Sequence, residues 1–150
     1  MKELKVQPIR NGTVIDHITA GQAVNVLRIL HLPRRGWTST ITAAMNVPSA
    51  DGRKDIVKIE DRELDSDEVN RIALIAPSAT INIVREYELV SKTRVELPDK
   101  VQGIVRCPNN ACVTNHQPIQ TAFTIQTKQP LHLRCAYCDR DVDDVAAAVA

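Results

Sequence analysis

The stretches Cys107-Pro-Asn-Asn-Ala-Cys112 and Cys135-Ala-Tyr-Cys138, separated by twenty-two residues, hold all four cysteines of the 150-residue chain. Two short-spaced pairs brought together by a hairpin place four thiolates at the corners of a tetrahedron, the geometry that Zn²⁺ takes in closed structural sites. His116 and His132 fall outside this spacing. Four sulfurs leave no open position for a water nucleophile, so the expected zinc builds structure and does no chemistry. Two disulfides are the competing reading, favoured in short secreted domains, but the first 106 residues carry neither a signal peptide nor a cysteine. These features predict a cytoplasmic chain in which Cys107, Cys112, Cys135 and Cys138 hold one structural metal ion.

Outward from the cysteines, the pattern is strongly β: Val101 to Arg106, then Ile119, Thr121, Phe123 and Ile125 in alternation, then Leu131 to Arg134. Leu97-Pro98-Asp99-Lys100 reads as the boundary, giving a first domain over residues 1–97 and a small all-β, zinc-ribbon-like domain over 98–150. A segment of about 50 residues has a marginal hydrophobic core, so a metal is expected to hold it together. The acidic stretch from Asp139 and the closing V-A-A-A-V-A suit a short terminal helix or a frayed end.

Before the boundary, the periodicity switches repeatedly. Leu4 to Ile9 and Thr13 to Ile18 read as strands around the turn dipeptide Asn11-Gly12. Ala20 to Leu32 carries Ala23, Val24, Leu27, Ile29 and Leu30 on one helical face, stopped by Pro33. Trp37 to Val47 and Asp55 to Glu60 read as a hairpin about the turn Pro48 to Gly52, with Ile56 and Lys58 on one face and Val57 and Ile59 on the other. Asp65 or Ser66 caps a second helix with Glu68 in its first turn and Pro77 as its stop, and Thr80 to Leu89 follows as a strand. The order β-α-β-β-α-β predicts an α+β, ferredoxin-like domain, an antiparallel sheet with two helices on one face. Its other face remains open for a ligand or partner.

Composition narrows the function classes. Nineteen Lys and Arg against eighteen Asp and Glu give a net charge of +1, without the basic field that grips a phosphate backbone. Trp37, Tyr87, Phe123 and Tyr137 are the only aromatic rings, too few to stack a strand of bases. Nucleic acid is therefore not the expected partner, although a zinc-ribbon nucleic-acid-binding protein, using Arg34, Arg35, Arg53, Lys54 and Lys58 as a patch, is the alternative. No apolar run approaches the roughly 20 residues that span a bilayer, so no membrane role is expected. A small ferredoxin-like enzyme is the weaker rival, because Asp16-His17 has no nucleophile or Gly-rich phosphate loop beside it.

Four segments, taken together, resemble one family. They are G-T-V-I-D-H-I (Gly12 to Ile18), N-V-P-S…G-R-K-D-I-V-K-I-E (Asn46 to Glu60), A-P-x-A-T-I-N (Ala76 to Asn82) and the cysteine pairs. In this order and separation they resemble the regulatory chain of aspartate carbamoyltransferase across nearly the whole sequence. The resemblance implies a chain with no catalytic residues, an N-terminal allosteric domain that binds ATP, CTP and UTP, and a C-terminal zinc domain that docks on the catalytic chain. It also implies regulatory dimers joining catalytic trimers into a dodecamer of six catalytic and six regulatory chains, in control of pyrimidine biosynthesis.

Carried over by motif, Asp16 would accept from ribose hydroxyls and His17 would lie near the phosphates, with Lys58, Lys92 and Lys54 at the triphosphate. Ammonium groups suit those oxygens as mobile point charges. Tyr87 and the backbone from Ile9 to Asn11 would hold the base, with Asn82 and Leu89 alongside. Read without the resemblance, Lys58 and Lys92 are lysines on a solvated strand face and Tyr87 is a rim residue. Two departures stand out. Gln7-Pro8 occupies the place of an acidic residue followed by alanine, and Pro8 lacks a backbone donor. Ala111 stands where the family's pattern has a second asparagine just before the second cysteine; Asn109 and Asn110 read on their own as turn formers, in a loop where the resemblance implies polar contacts with the catalytic chain.

Overall fold

Apolar residues every second position, interrupted by two helical stretches, build one antiparallel sheet in the first part of the chain. The structure, a computed structural model, describes residues 8–50, 52–98, 100–128, 131–142 and 144–149. The chain divides into two compact units, residues 1–96 and 97–150.

The first unit runs β1 (Gly12–Thr19), α1 (Ala23–Ile29), β2 (Ile41–Ser49), β3 (Gly52–Glu60), α2 (Ser66–Ile75), β4 (Thr80–Arg85) and β5 (Glu88–Arg94). Strand order is β2-β3-β1-β4-β5, every neighbour antiparallel. The first four of these strands with the two helices form the expected split β-α-β layout. Of the expected strand over Leu4 to Ile9, residues 4–7 lie outside the described residues, and Pro8 and Ile9 are not in a strand.

The expected strand from Thr80 to Leu89 is two strands. Glu86 and Tyr87 both adopt positive φ, 50° and 64°, and turn the chain back between β4 and β5. That pair of left-handed residues matches the twist of the flanking strands in a two-residue hairpin. Arg10 O accepts the Tyr87 N–H at 2.8 Å and Asn11 Oδ1 accepts the Glu86 N–H at 3.0 Å, so the segment before β1 holds the turn. The first helix is shorter than its apolar face suggested, Ala23–Ile29 rather than 20–32, and β2 runs from Ile41 to Ser49 rather than 37–47.

One face of the sheet is sealed. Thr13, Ile15 and Ile18 of β1, Val57 and Ile59 of β3 and Ile81 of β4 are all buried, with Val26 and Ile29 of α1 and Ile72, Ala73 and Leu74 of α2. Each such aliphatic side chain contributes about 1.5–3 kcal/mol on burial. Asp65 caps α2 in a full capping box, its carboxylate accepting the Glu68 N–H at 2.9 Å while Glu68 Oε1 accepts the Asp65 N–H at 3.2 Å. Trp37, in the loop before β2, has the guanidinium carbons of Arg34 and Arg62 at 5.8 and 5.9 Å from its ring centroid, and Arg62 in turn pairs with Glu68.

Both strands flanking β3 are irregular at the same level. β1 shifts register between Ile15 and Ile18, and β2 between Ala44 and Val47. Between them, the fully buried Asp55 carboxylate accepts the backbone N–H groups of Gly21, Ala23 and Asn46, each at 2.9 Å. It ties the start of α1 and the β2 bulge to β3. Asp55→Ala leaves three backbone donors, that of Ala23 buried, without their acceptor and is expected to destabilise this unit by about 2–3 kcal/mol. The midpoint of urea unfolding measures it, and an unchanged midpoint contradicts this role.

The second unit is a four-stranded antiparallel sheet, β6 (Lys100–Gln102), β7 (Ala122–Lys128), β8 (Leu131–Cys135) and β9 (Asp141–Val142), in sequence order. A short helix, α3 (Val145–Ala148), follows, capped by the Asp144 carboxylate on Ala147 N–H. β6 is three residues long where Val101 to Arg106 was expected, and Val105 instead bridges Val149. Val101, Val105, Phe123, Leu133 and Val142 make the small core, and the cysteines sit against it.

Candidate metal centre and nucleotide site

The metal site is built by two tight turns. In the first, Cys112 N–H donates to Asn109 O at 3.0 Å and Ala111 N–H to Asn109 Oδ1 at 3.1 Å, folding the loop back so that Cys112 faces Cys107. The Asn115 amide reaches across, donating to Cys107 O at 3.0 Å and Asn109 O at 2.8 Å. In the second turn, Cys135 ends β8 and its carbonyl accepts the Asp139 N–H at 2.9 Å, with Asp139 at φ 61°. These turns bring all four Sγ atoms within 4.8 Å of one another. Cys107 to Cys138 is 3.7 Å and Cys112 to Cys135 is 3.8 Å. A tetrahedron of bonds of about 2.3 Å has edges of about 3.8 Å, whereas a disulfide needs sulfurs about 2.05 Å apart. The cysteines are unbridged and the donor set fits a single soft cation.

Left to themselves the four thiols do not ionise together. Burial pushes Cys107 up to about 12, while hydrogen bonding, first from the Asn109 side chain, pulls Cys138 down to about 6. A bound cation is what makes all four thiolates at once. His116 is turned away from the sulfurs to Asn110 O, 2.6 Å from its Nε2, and His132 is exposed on β8.

The other candidate residues come from separate strands of the first sheet, and its register gathers most of them. Lys58 on β3 lies opposite Val14 on β1, Val14 opposite Asn82 on β4, and Asn82 opposite Lys92 on β5. Directly paired residues share a face, so these four form one row across the sheet on the side away from Ile15 and Val57. Asn82 is fixed there by its amide, which donates to Val14 O at 3.2 Å. Two residues along β1, Asp16 lies on the same face and faces Lys54, with Oδ1 to Nζ at 2.9 Å. Burial raises the Asp16 pKa, but the Lys54 hydrogen bond, the His17 N–H and the electrostatic effects of the Lys54 and His17 side chains outweigh it and leave the pKa below the usual value. His17 sits in the β1 bulge at φ 56°, with Nδ1 3.2 Å from Thr80 Oγ1. Along the strands, on the other side of the row from Asp16, Leu89 pairs with Val84 and is exposed, and Tyr87 projects from the hairpin turn beside Arg10. Ile9 is buried just before β1.

Lys58 is not on a solvated face. It is only 8% exposed, and burial lowers its pKa, with Glu60 acting in the opposite sense. Sequence reading missed two residues of this face. Thr80 pairs with Asp16, and Arg94 pairs with Thr80. The signal for Arg94 is the β4–β5 register, which a single strand over Thr80 to Leu89 conceals.

Comparison with known proteins follows this division of the chain. Residues 4–96 match the family model described as the aspartate carbamoyltransferase regulatory chain, allosteric domain, and residues 99–147 match that of the same chain's metal binding domain. The chain belongs to the aspartate carbamoyltransferase regulatory-chain family. It is 56% identical over 146 residues to the regulatory chain of Methanothrix thermoacetophila, covering 95% of this chain and 94% of the relative. The regulatory chain of Pyrococcus abyssi is 50% identical over 145 residues, 96% and 95% of the two chains. That of Methanothermobacter thermautotrophicus is 54% identical over 143 residues, 94% and 90%. A regulatory chain of this family is a non-catalytic subunit, and this one carries both its allosteric and its metal-binding domain. Among the described residues, no helix is long and apolar enough to cross a membrane.

Proposed function

We propose that the open sheet face of residues 1–97 binds nucleoside triphosphates, ATP, CTP and UTP, and that residues 98–150 use a structural Zn²⁺ to dock on the catalytic chain of aspartate carbamoyltransferase in the cytoplasm. The row Lys58, Val14, Asn82 and Lys92, flanked by Asp16, His17 and Lys54, carries this reading. Lysines from two strands, β3 and β5, lie around one patch with His17 of β1 beside them, and Tyr87, Leu89 and the Ile9 to Asn11 backbone lie on its other side for a base. Cys107, Cys112, Cys135 and Cys138 would hold the zinc, which supplies cross-linking and no reaction step.

The nucleotide acts by binding two states of the assembly unequally, with coupling of about 1–3 kcal/mol typical of such devices. Regulatory chains pair and link catalytic trimers into a dodecamer of six and six. The sheet offers one edge suited to pairing. β2, Ile41 to Ser49, is uncharged and exposes Ala43 and Met45, whereas β5 at the other edge bears Glu88, Lys92 and Arg94. Charge protects an edge from pairing and its absence invites it.

Titration calorimetry of ATP and CTP into the zinc-loaded chain tests the nucleotide reading. Lys58→Ala is expected to weaken binding about 10- to 100-fold, the worth of a charge-assisted contact, while assembly with catalytic chains persists. Wild-type chain that takes up neither nucleotide ends the reading.

A further inference from the structure

Within the candidate site, one anionic group already occupies a cation. Asp16 Oδ1 lies 2.9 Å from Lys54 Nζ, both side chains being largely shielded, at 26% and 20% exposure. The same oxygen accepts the His17 N–H at 2.7 Å, so the backbone of the β1 bulge holds the carboxylate in place. Thr80, directly opposite Asp16, bonds His17 and not Asp16. The carboxylate thus stands where a phosphate oxygen would meet Lys54.

An incoming phosphate that takes Lys54 must displace Asp16, and what happens next depends on the ligand. Inorganic phosphate and polyphosphate carry no hydroxyl donors beyond their acid protons, so the displaced carboxylate is left partly shielded beside a new anion. A nucleotide brings sugar hydroxyls that donate to it, replacing the lost ammonium contact with new hydrogen bonds. Resting on the nucleotide reading above, we propose that Asp16 is a specificity-determining residue: as an internal competitor for Lys54 it makes the site reject bare phosphate chains and admit those attached to a sugar.

The test is calorimetry on the zinc-loaded full-length chain with two probes, ATP and inorganic tripolyphosphate. Asp16→Asn keeps the side-chain shape and an oxygen for the His17 N–H while removing the competing charge. It is expected to tighten tripolyphosphate binding about tenfold, the removal of one close like-charge contact, and to weaken ATP binding, because a neutral amide oxygen is a poorer acceptor for the sugar hydroxyls than a carboxylate. The preference for ATP over tripolyphosphate then collapses. In a Lys54→Met background the same substitution is expected to give no such gain. A gain of equal size there means a general field effect and overturns the competitor role, as does tripolyphosphate affinity in Asp16→Asn at or below the wild-type value. Asp16→Ser is measured alongside and must show the same direction. Wild-type chain that binds no ATP defeats the nucleotide reading itself, and the inference with it, whereas ATP binding with an unaltered preference in the variant defeats the inference alone.

Discussion

Cys112→Ala, or removal of the metal by a chelator, is expected to unfold residues 97–150 while residues 1–96 remain folded. Among its described residues the second unit has few large buried side chains, Phe123, Leu133, Val101, Val105 and Val142 chief among them. A chain of about 50 residues with so small a core has a stability near zero without a cross-link. Binding of a structural Zn²⁺ by four thiolates supplies an apparent 10–16 kcal/mol, and losing one of four sulfurs removes most of it. Cys112 is 98% shielded and packs 3.8 Å from Cys135, so alanine also leaves a hole next to three thiols that cannot ionise together. Metal stoichiometry with a chromophoric chelator and amide dispersion by NMR follow the two units separately. Dispersed amides from the second unit in a metal-free sample are the result that sinks this account. On the docking role proposed for this unit, assembly with catalytic chains is expected to fail in the same sample.

Gly12→Ala is the second large effect, and it strikes the other unit. Gly12 begins β1 at φ 139°, and a Cβ there would stand 2.1 Å from Ile59 O and 3.0 Å from the Glu60 Cα. Both obstacles are backbone of β3, paired with β1 at this point, so no side chain can swing aside. β1 is also the central strand, held by β4 on its other side, and the neighbouring Asn11 carbonyl accepts the Asp61 N–H. Relief requires unzipping the start of β1 from β3. A cost of about 3–5 kcal/mol is expected from the strained φ and the clash together, read as a lower urea midpoint for the first unit. Gly21→Ala is the control. Its φ of 91° is also left-handed, but nothing lies within 4 Å of the added carbon, so only about 1–2 kcal/mol of backbone strain applies. Equal losses in the two variants argue against the close approach of β1 and β3 at Gly12.

What the amino-acid pattern disclosed depended on whether the cause was local. The cysteine spacing, a helix cap at Asp65 or Ser66 with Glu68 in the first turn, and the alternation that puts Val57 and Ile59 on one strand face are set within a few residues, and all were legible. The β4–β5 hairpin was not, because Glu86 and Tyr87 are unusual at positive φ, and the turn is held by Arg10 and Asn11, more than seventy residues away in sequence. The role of Asp55 was hidden for the same reason. An acidic residue in an alternating strand reads as exposed, and only the convergence of two loops on it explains its burial. Alternation put Lys58 on the face opposite Val57 and Ile59, but read it as solvated, whereas it is buried. The resemblance to a family supplied the candidate nucleotide residues, and register then brought Lys58, Asn82 and Lys92 into a single row, an arrangement no spacing along the chain reveals.

The stacking of Arg34 and Arg62 on Trp37 has a practical side. Trp37 is the only tryptophan in the chain, and it belongs to the first unit, next to a residue whose partner Glu68 closes the α2 capping box. Indole emission therefore reports on one half of the molecule alone, while a spectroscopically visible ion such as Co²⁺ in the cysteine cluster reports on the other. Two optical signals, each native to its own unit, let the melting of either be watched in the presence of the other without attaching a dye.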